Sequence, residues 1–224
     1  MSEFSSNRPA LTLHYWKIPG RASLAYLLMK SSGLPVTYID EDEVEVKQSY
    51  KQKATFGQLP FLTDDINNVA LSQSAAIATY AARISGLDGL DVGRGLRDWS
   101  KTLEYIELDA ELMQFCGKAL YTGEDGSKER ADAWATAKLK VTEKLALVVR
   151  NLGQNTFLCG SKPLAADFAV ANLLWFLSSA SLWGQELKQQ FPKLNEHFDA
   201  LVKACPEAQK VFAEMDNWPA YYKI

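Results

Sequence analysis

Three short stretches of this chain could do chemistry, two of them by gripping an anion and one through its main chain. Leu11-Thr12-Leu13-His14-Tyr15 alternates apolar and polar residues, the period of a half-buried strand, and Pro19-Gly20 breaks it. Tyr15 therefore stands where a strand meets a glycine turn and a helix, and its hydroxyl can point into a cleft. Arg21 falls in the expected first turn of that helix, close enough to serve as a cation beside the phenol. A phenolic O–H, a guanidinium and a helix N-terminus all stabilise negative charge. A strand-end tyrosine on its own, however, is more often a core residue with a satisfied hydroxyl.

The other two stretches are less specific. Ser74 opens a helical pattern; a serine there is usually an N-cap contributing about 1 kcal/mol. The same geometry leaves backbone N–H groups and a hydroxyl available to a carboxylate. Leu59-Pro60 is compatible with a cis peptide bond at a strand entrance, although a trans bond is the commoner outcome.

Composition narrows the classes. With 224 residues, 47% hydrophobic and 23% charged, the chain can build one large core or two modest ones. A formal net charge of -3, with no basic run, argues against nucleic-acid binding. Cys116, Cys159 and Cys205 are odd in number and widely spaced, which builds neither a disulfide framework nor a zinc site. His14 and His197 leave few ligands for a catalytic metal, so none is expected. Met1 to Pro9 lacks the apolar core of a signal peptide. The longest apolar stretch, Phe168 to Leu177, is interrupted by Asn172 and too short to span a bilayer. The expectation is a cytoplasmic protein with reduced cysteines and no membrane partner.

The elements that must position Tyr15, Pro60 and Ser74 follow one grammar. After the first strand, Leu24, Leu27 and Leu28 recur at helical spacing until Gly33 and Pro35. Val36 to Ile39 reads as a strand and Val46 to Ala54 as a short surface helix. Pro60 to Thr63 and Asn68 to Leu71 are two strands joined by Asp64-Asp65-Ile66-Asn67. Ser74 then opens a helix with Ile77, Tyr80, Ala81 and Ile84 on its apolar face. The order is β-α-β-α-β-β-α over residues 1–85. Residues 86–95, rich in Gly and Asp, read as a linker. Residues 96–224 are helical only: Leu96, Trp99, Leu103, Ile106, Ala110 and Met113 mark one long amphipathic helix. Leu145, Val148, Val149 and Leu152 mark another, and Ala165 to Leu177 is apolar enough to be a buried central helix.

Tyr15-Trp16-Lys17-Ile18-Pro19-Gly20-Arg21-Ala22 resembles the start of the cytosolic glutathione transferases. Tyr-Trp is similar to the mu class and Gly-Arg-Ala to the sigma class. Gly57-Gln58-Leu59-Pro60-Phe61-Leu62 and Ser72-Gln73-Ser74-Ala75-Ala76-Ile77 resemble that family's two further glutathione motifs, at suitable separations. The resemblance covers nearly the whole chain. It implies a thioredoxin-like N-terminal domain, an all-α C-terminal domain and a homodimer. It also implies glutathione as co-substrate, with no tightly bound cofactor. The implied activity is attack of the glutathione sulfur on a small hydrophobic electrophile, a detoxification chemistry.

The resemblance assigns residues in turn. Tyr15 and Arg21 would stabilise the thiolate. Leu59, before a cis Pro60, would pair with the cysteinyl backbone, as in strand addition. Gln73 and Ser74 would hold the γ-glutamyl group, and Trp16, Lys51 and Gln58 would complete the glutathione site. Lys47 stands where sigma and mu patterns carry tryptophan. Glu104 is a candidate for reaching the partner subunit's glutathione, or for pairing with Lys101 on its own helix. Ile18, Met113, Phe115 and Cys116 would line the electrophile pocket. Asp167 lacks a Ser or Thr three residues earlier, where Leu164 stands, so the usual reciprocal helix cap cannot form. Two other functions fit the same scaffold: a structural or hydrophobic-ligand-binding protein, and a sigma-like isomerase using the same thiolate.

Overall fold

Strand formation begins where the sequence alternates. In a computed structural model describing residues 11–44, 48–91, 94–178 and 182–218, β1 spans Leu11–Tyr15 and buries Leu11, Leu13 and Tyr15 on one face. α1 (Ser23–Ser31) follows, nearly all of it buried, and leads to β2 (Val36–Asp40), α2 (Tyr50–Lys53), β3 (Phe61–Asp64), β4 (Val69–Ser72) and α3 (Ser74–Ile84). The four strands lie in the order β2-β1-β3-β4; β1 and β2 are parallel, while β3 is antiparallel to both its neighbours. This is the expected β-α-β-α-β-β-α unit, a thioredoxin-like domain. β3 starts at Phe61 and not at Pro60, since a proline has no N–H to give the ladder. The β3–β4 turn is fixed by Asp64, whose carboxylate accepts the Ile66 and Asn67 N–H groups.

Helices α4 (Leu96–Leu120), α5 (Lys128–Leu152), α6 (Ala165–Leu177), α7 (Gln185–Gln190), α8 (Pro192–Ala204) and α9 (Pro206–Met215) make up the rest. α6 is the central helix, buried along almost its whole length against α4, α1 and α8. On α5, Leu145, Val148 and Leu152 are buried and Val149 is half-buried.

The face of α4 differs from the sequence expectation. Leu96 is 70% exposed, and Trp99, Leu103 and Ala110 are only half-buried. Ile106 and Met113 are buried as expected, but the rest of the inward stripe runs through Asp98, Thr102, Tyr105, Asp109, Leu112, Cys116 and Ala119. Two carboxylates on that stripe are partnered. Arg94, one turn earlier and itself bonded to the Cys159 carbonyl, pairs with Asp98 at 2.9 Å, and Asn172 Nδ2 donates to Asp109 at 2.9 Å across the interface with α6. A partnered polar residue is admissible in a core, so hydrophobicity alone misplaces the face.

At the start of α6, Asp167 carries out the half of the cap open to it. Its carboxylate accepts the N–H groups of Leu164 and Leu158 at 2.9 and 2.8 Å and meets His197 Nε2 from α8 at 2.9 Å.

Candidate functional site

Strand register gathers the first set of candidate residues. His14 pairs with Phe61, and Phe61 with Ser72. Continuing both ladders by one residue puts Tyr15, Pro60 and Gln73 in a row across the same end of the sheet. The Leu59–Pro60 peptide bond is cis. Leu59 is half-buried and Gln58 is exposed. Among the described residues, nothing accepts from or donates to the Leu59 main chain.

At the same end, Gln73 is the N-cap of α3 and Ser74 its first helical residue; this corrects the expectation that Ser74 itself caps. Gln73 adopts φ 77°, unusual for a residue with a side chain. Its side chain makes no cap hydrogen bond, and the first main-chain bond of the helix is Ile77 N–H to Gln73 O at 2.9 Å. The N–H groups of Ser74, Ala75 and Ala76 therefore lie ahead of the helical ladder, the usual state of a helix start. Lys51, on α2, is exposed, and Lys47 lies outside the described residues.

Tyr15 is buried, with only 6% of its surface exposed. Its hydroxyl oxygen accepts the Arg21 N–H at 3.4 Å. Gly20 presses against it: a Cβ at that position would lie 3.1 Å from the Tyr15 oxygen, so the bare backbone permits the approach. Burial pushes the phenol up to about 12, with the nearby Tyr121 adding to the rise; the Arg21 N–H and the Arg21 charge pull the other way. At neutral pH the phenol keeps its proton. Its oxygen has one lone pair engaged and its hydrogen is available to donate. Arg21 precedes α1 and does not lie in its first turn, because the chain makes a turn at Gly20 first, where Ser23 N–H and Oγ both bond Gly20 O.

Tyr15, Pro19, Gly20 and Arg21 form one wall of a cleft of about 250 Å³. Opposite them stand Met113, Gln114, Gly117, Lys118 and Tyr121 from α4 and its C-terminus, with Phe176 from α6. Of the four residues expected to line an electrophile pocket, Met113 is at this cleft. Phe115 points towards α5, where the Lys140 ammonium sits 4.7 Å from its ring centroid, and Cys116 is sealed in the core at 1% exposure. Ile18 is likewise buried and outside the cleft wall. The reason is helix phase. Positions 113, 117 and 121 recur every four residues on one side of α4, while Phe115 lies about 200° round from Met113. That spacing was the signal by which Gly117 and Tyr121 could have been found from Met113.

Trp16 is half-buried, its ring 5.3 Å from that of Tyr15. Its carbonyl accepts the Tyr38 hydroxyl at 2.8 Å, a contact that sequence reasoning missed. Tyr38 packs in turn against Tyr26 and Trp218, so the segment beyond α9 buttresses the β1–α1 loop. Glu104 lies on α4 away from Tyr15 and pairs with Lys101, beside a crevice against α5. Among the described residues no group of three or more potential metal ligands occurs, and no helix is long and apolar enough to cross a membrane.

A thioredoxin-like sheet followed by a helical domain, with a buried tyrosine at the end of β1 and a cis-proline beside it, defines a class of two-domain proteins. The comparisons narrow it. Residues 11–83 match the glutathione S-transferase N-terminal domain and residues 131–200 its C-terminal domain; the chain belongs to the glutathione S-transferase family. No curated protein sequence matches the chain. Solved structures of similar fold include a Caenorhabditis elegans glutathione S-transferase, 20% identical over 95% of this chain and 100% of that one, with TM-score 0.70. The Phanerochaete chrysosporium glutathione transferase URE2P6, solved with oxidized glutathione, is 19% identical over 92% and 96%, with TM-score 0.74. A Fasciola hepatica sigma class enzyme is 17% identical over 92% and 96%, with TM-score 0.71. At these identities the likeness is one of fold.

Proposed function

We propose that this protein is a glutathione transferase in which the Tyr15 hydroxyl donates a hydrogen bond to the glutathione thiolate. The observation that carries the reading is the state of Tyr15: a buried, protonated phenol facing a cleft, its oxygen already accepting the Arg21 N–H. A phenol in that state is a donor and not a base, so the thiol proton leaves to water while Tyr15 stabilises the sulfur anion. A free thiol titrates near 8.5, and lowering it by two units requires about 2.7 kcal/mol. One hydrogen bond to a charged group contributes about 1.5–3 kcal/mol, so Tyr15 can supply most of this, with the Arg21 charge adding to it.

The row across the sheet end supports the rest of the glutathione site. Leu59 pairs with the cysteinyl main chain, as an added strand would. Gln73, Ser74 and the α3 N-terminus take the γ-glutamyl carboxylate. Lys51, Gln58 and Trp16 serve the glycyl end. The glutathione half comprises residues 1–85; residues 86–95 link it to a helical half, 96–224, that supplies the far wall of the cleft. The working form is a cytoplasmic homodimer in which Glu104 reaches the partner's glutathione.

In the transfer step the thiolate forms a C–S bond to the electrophile as its leaving group departs with the bonding electrons. The test is steady-state turnover of a model electrophile. Tyr15→Phe keeps the ring and removes the donor; kcat/KM is expected to fall by about a hundredfold, the usual loss on deleting one anion-stabilising donor. Unchanged kcat/KM would overturn the role. Retention on immobilised glutathione without turnover would indicate a carrier.

A further inference from the structure

The cleft beside Tyr15 is more cationic than an apolar electrophile requires. The chain carries a formal charge of -3, yet the described residues lining this cleft include Arg21 and Lys118 and not one carboxylate. Neither the Arg21 guanidinium nor the Lys118 ammonium has an ion-pair partner among the described residues. Elsewhere Arg94 pairs with Asp98, Arg83 with Asp88 and Asp91, and Lys144 with Glu111, while Arg97, Lys140 and Arg150 have no carboxylate partner among the described residues either. What sets this place apart is two cations in one cleft without a carboxylate. The two stand on opposite walls, Arg21 ahead of α1 and Lys118 on the last turn of α4. Gln114 and Tyr121 add neutral hydrogen-bonding groups on the Lys118 side.

The carboxylates of glutathione do not account for this charge. Under the reading above, which this inference rests on, they lie along the sheet end at Lys51 and at Gln73-Ser74. The thiolate is a single negative charge, with Tyr15 and Arg21 beside it. Lys118 is left facing the space that the second substrate enters. We propose that the electrophile is an anion: a small molecule carrying a carboxylate or similar acid, held by Lys118 so that its electrophilic carbon faces the sulfur. Lys118 is then a specificity-determining residue. Solvent screens an exposed ammonium, so its contribution to kcat/KM is modest, about five- to tenfold.

A matched pair of substrates tests this: a chlorodinitrobenzene, and the chlorodinitrobenzoate that differs from it only by a ring carboxylate. In both, the thiolate adds to the chlorine-bearing carbon, the C–S bond forms, the C–Cl bond breaks and chloride leaves. Each kcat/KM is divided by the rate of the same compound with free glutathione, which removes intrinsic reactivity. The wild-type ratio, benzoate over benzene, is expected to exceed one and to fall about five- to tenfold in K118Q. K118R should retain it, and rising salt should lower it in the wild type. K128Q, the same charge change on the solvated start of α5, controls for long-range charge. A ratio below one, or one that K118Q leaves unchanged, overturns the proposal. Turnover of neither compound contradicts the transferase reading beneath it.

Discussion

The two halves of this molecule place their chemistry by different means. In the thioredoxin-like half, position follows from strand register: once His14 faces Phe61 and Phe61 faces Ser72, the residues next in line are determined. In the helical half, position follows from the rotation of α4 about its own axis, which its partners set. Asp98 and Asp109 lie on the buried stripe because Arg94 and Asn172 satisfy them, and Leu96 is turned out to solvent. A register error in a strand is all or none, whereas a helix can rotate by a third of a turn and still look amphipathic.

If buried polar contacts set the helical half, breaking one should cost more than removing an apolar contact from the stripe drawn by hydrophobicity. Asp167 offers the largest expected effect. Its carboxylate takes two main-chain N–H groups and His197 in full burial. Asp167→Ala should destabilise the fold by roughly 3–5 kcal/mol, read as a shift in the denaturant midpoint. The two stripes of α4 are separated by a pair of truncations. Leu112→Ala, at 0% exposure, should lose about 2–5 kcal/mol. Leu96→Ala, at 70% exposure, should stay within about 0.5 kcal/mol of the wild type. Equal losses would show that the helix phase described here is wrong.

Asp109 gives the helical half a pH signature. Burial pushes its carboxyl up to about 7, only partly offset by the hydrogen bond from Asn172. The folded state therefore holds a proton that the unfolded chain has lost. That stability is fully present below about pH 4 and is lost as pH rises through 7. Asp109→Asn should flatten thermal stability between those limits and raise it above that of the wild type at pH 8, by about a few kcal/mol at most. A pH profile unchanged by the substitution would contradict the assignment.

A smaller effect than that of the core truncations is expected at Tyr38, which packs on Trp218 of the helical half. Tyr38→Phe leaves the Trp16 carbonyl without its hydroxyl donor. About 1 kcal/mol of stability should go with it. As a positioning residue, Tyr38 should also affect KM for glutathione more than it affects kcat.

The placement of the candidate site's sheet-end residues was legible in the sequence. Tyr15, Pro60 and the Gln73-Ser74 pair all sit at strand ends, where period-two alternation and turn residues fix location. The illegible parts depend on what faces what. Phe115 and Cys116 are apolar residues near Met113 in sequence, but the turn of α4 sends them to α5 and to the core. Lys118 reads as one more solvated lysine until the cleft opposite Arg21 is seen. The positive φ of Gln73 shifts the cap by one residue, which no propensity signals for a glutamine. Tyr38 and Trp16 are 22 residues apart, and nothing local links them.

The central claim concerns one proton, on Tyr15. The direct measurement is the ultraviolet titration of the thiol of bound glutathione in the wild type and in Tyr15→Phe. The account predicts a bound thiol about two units below the free value near 8.5, rising by about one to two units when the hydroxyl is removed. A bound thiol that titrates identically in both proteins would contradict it.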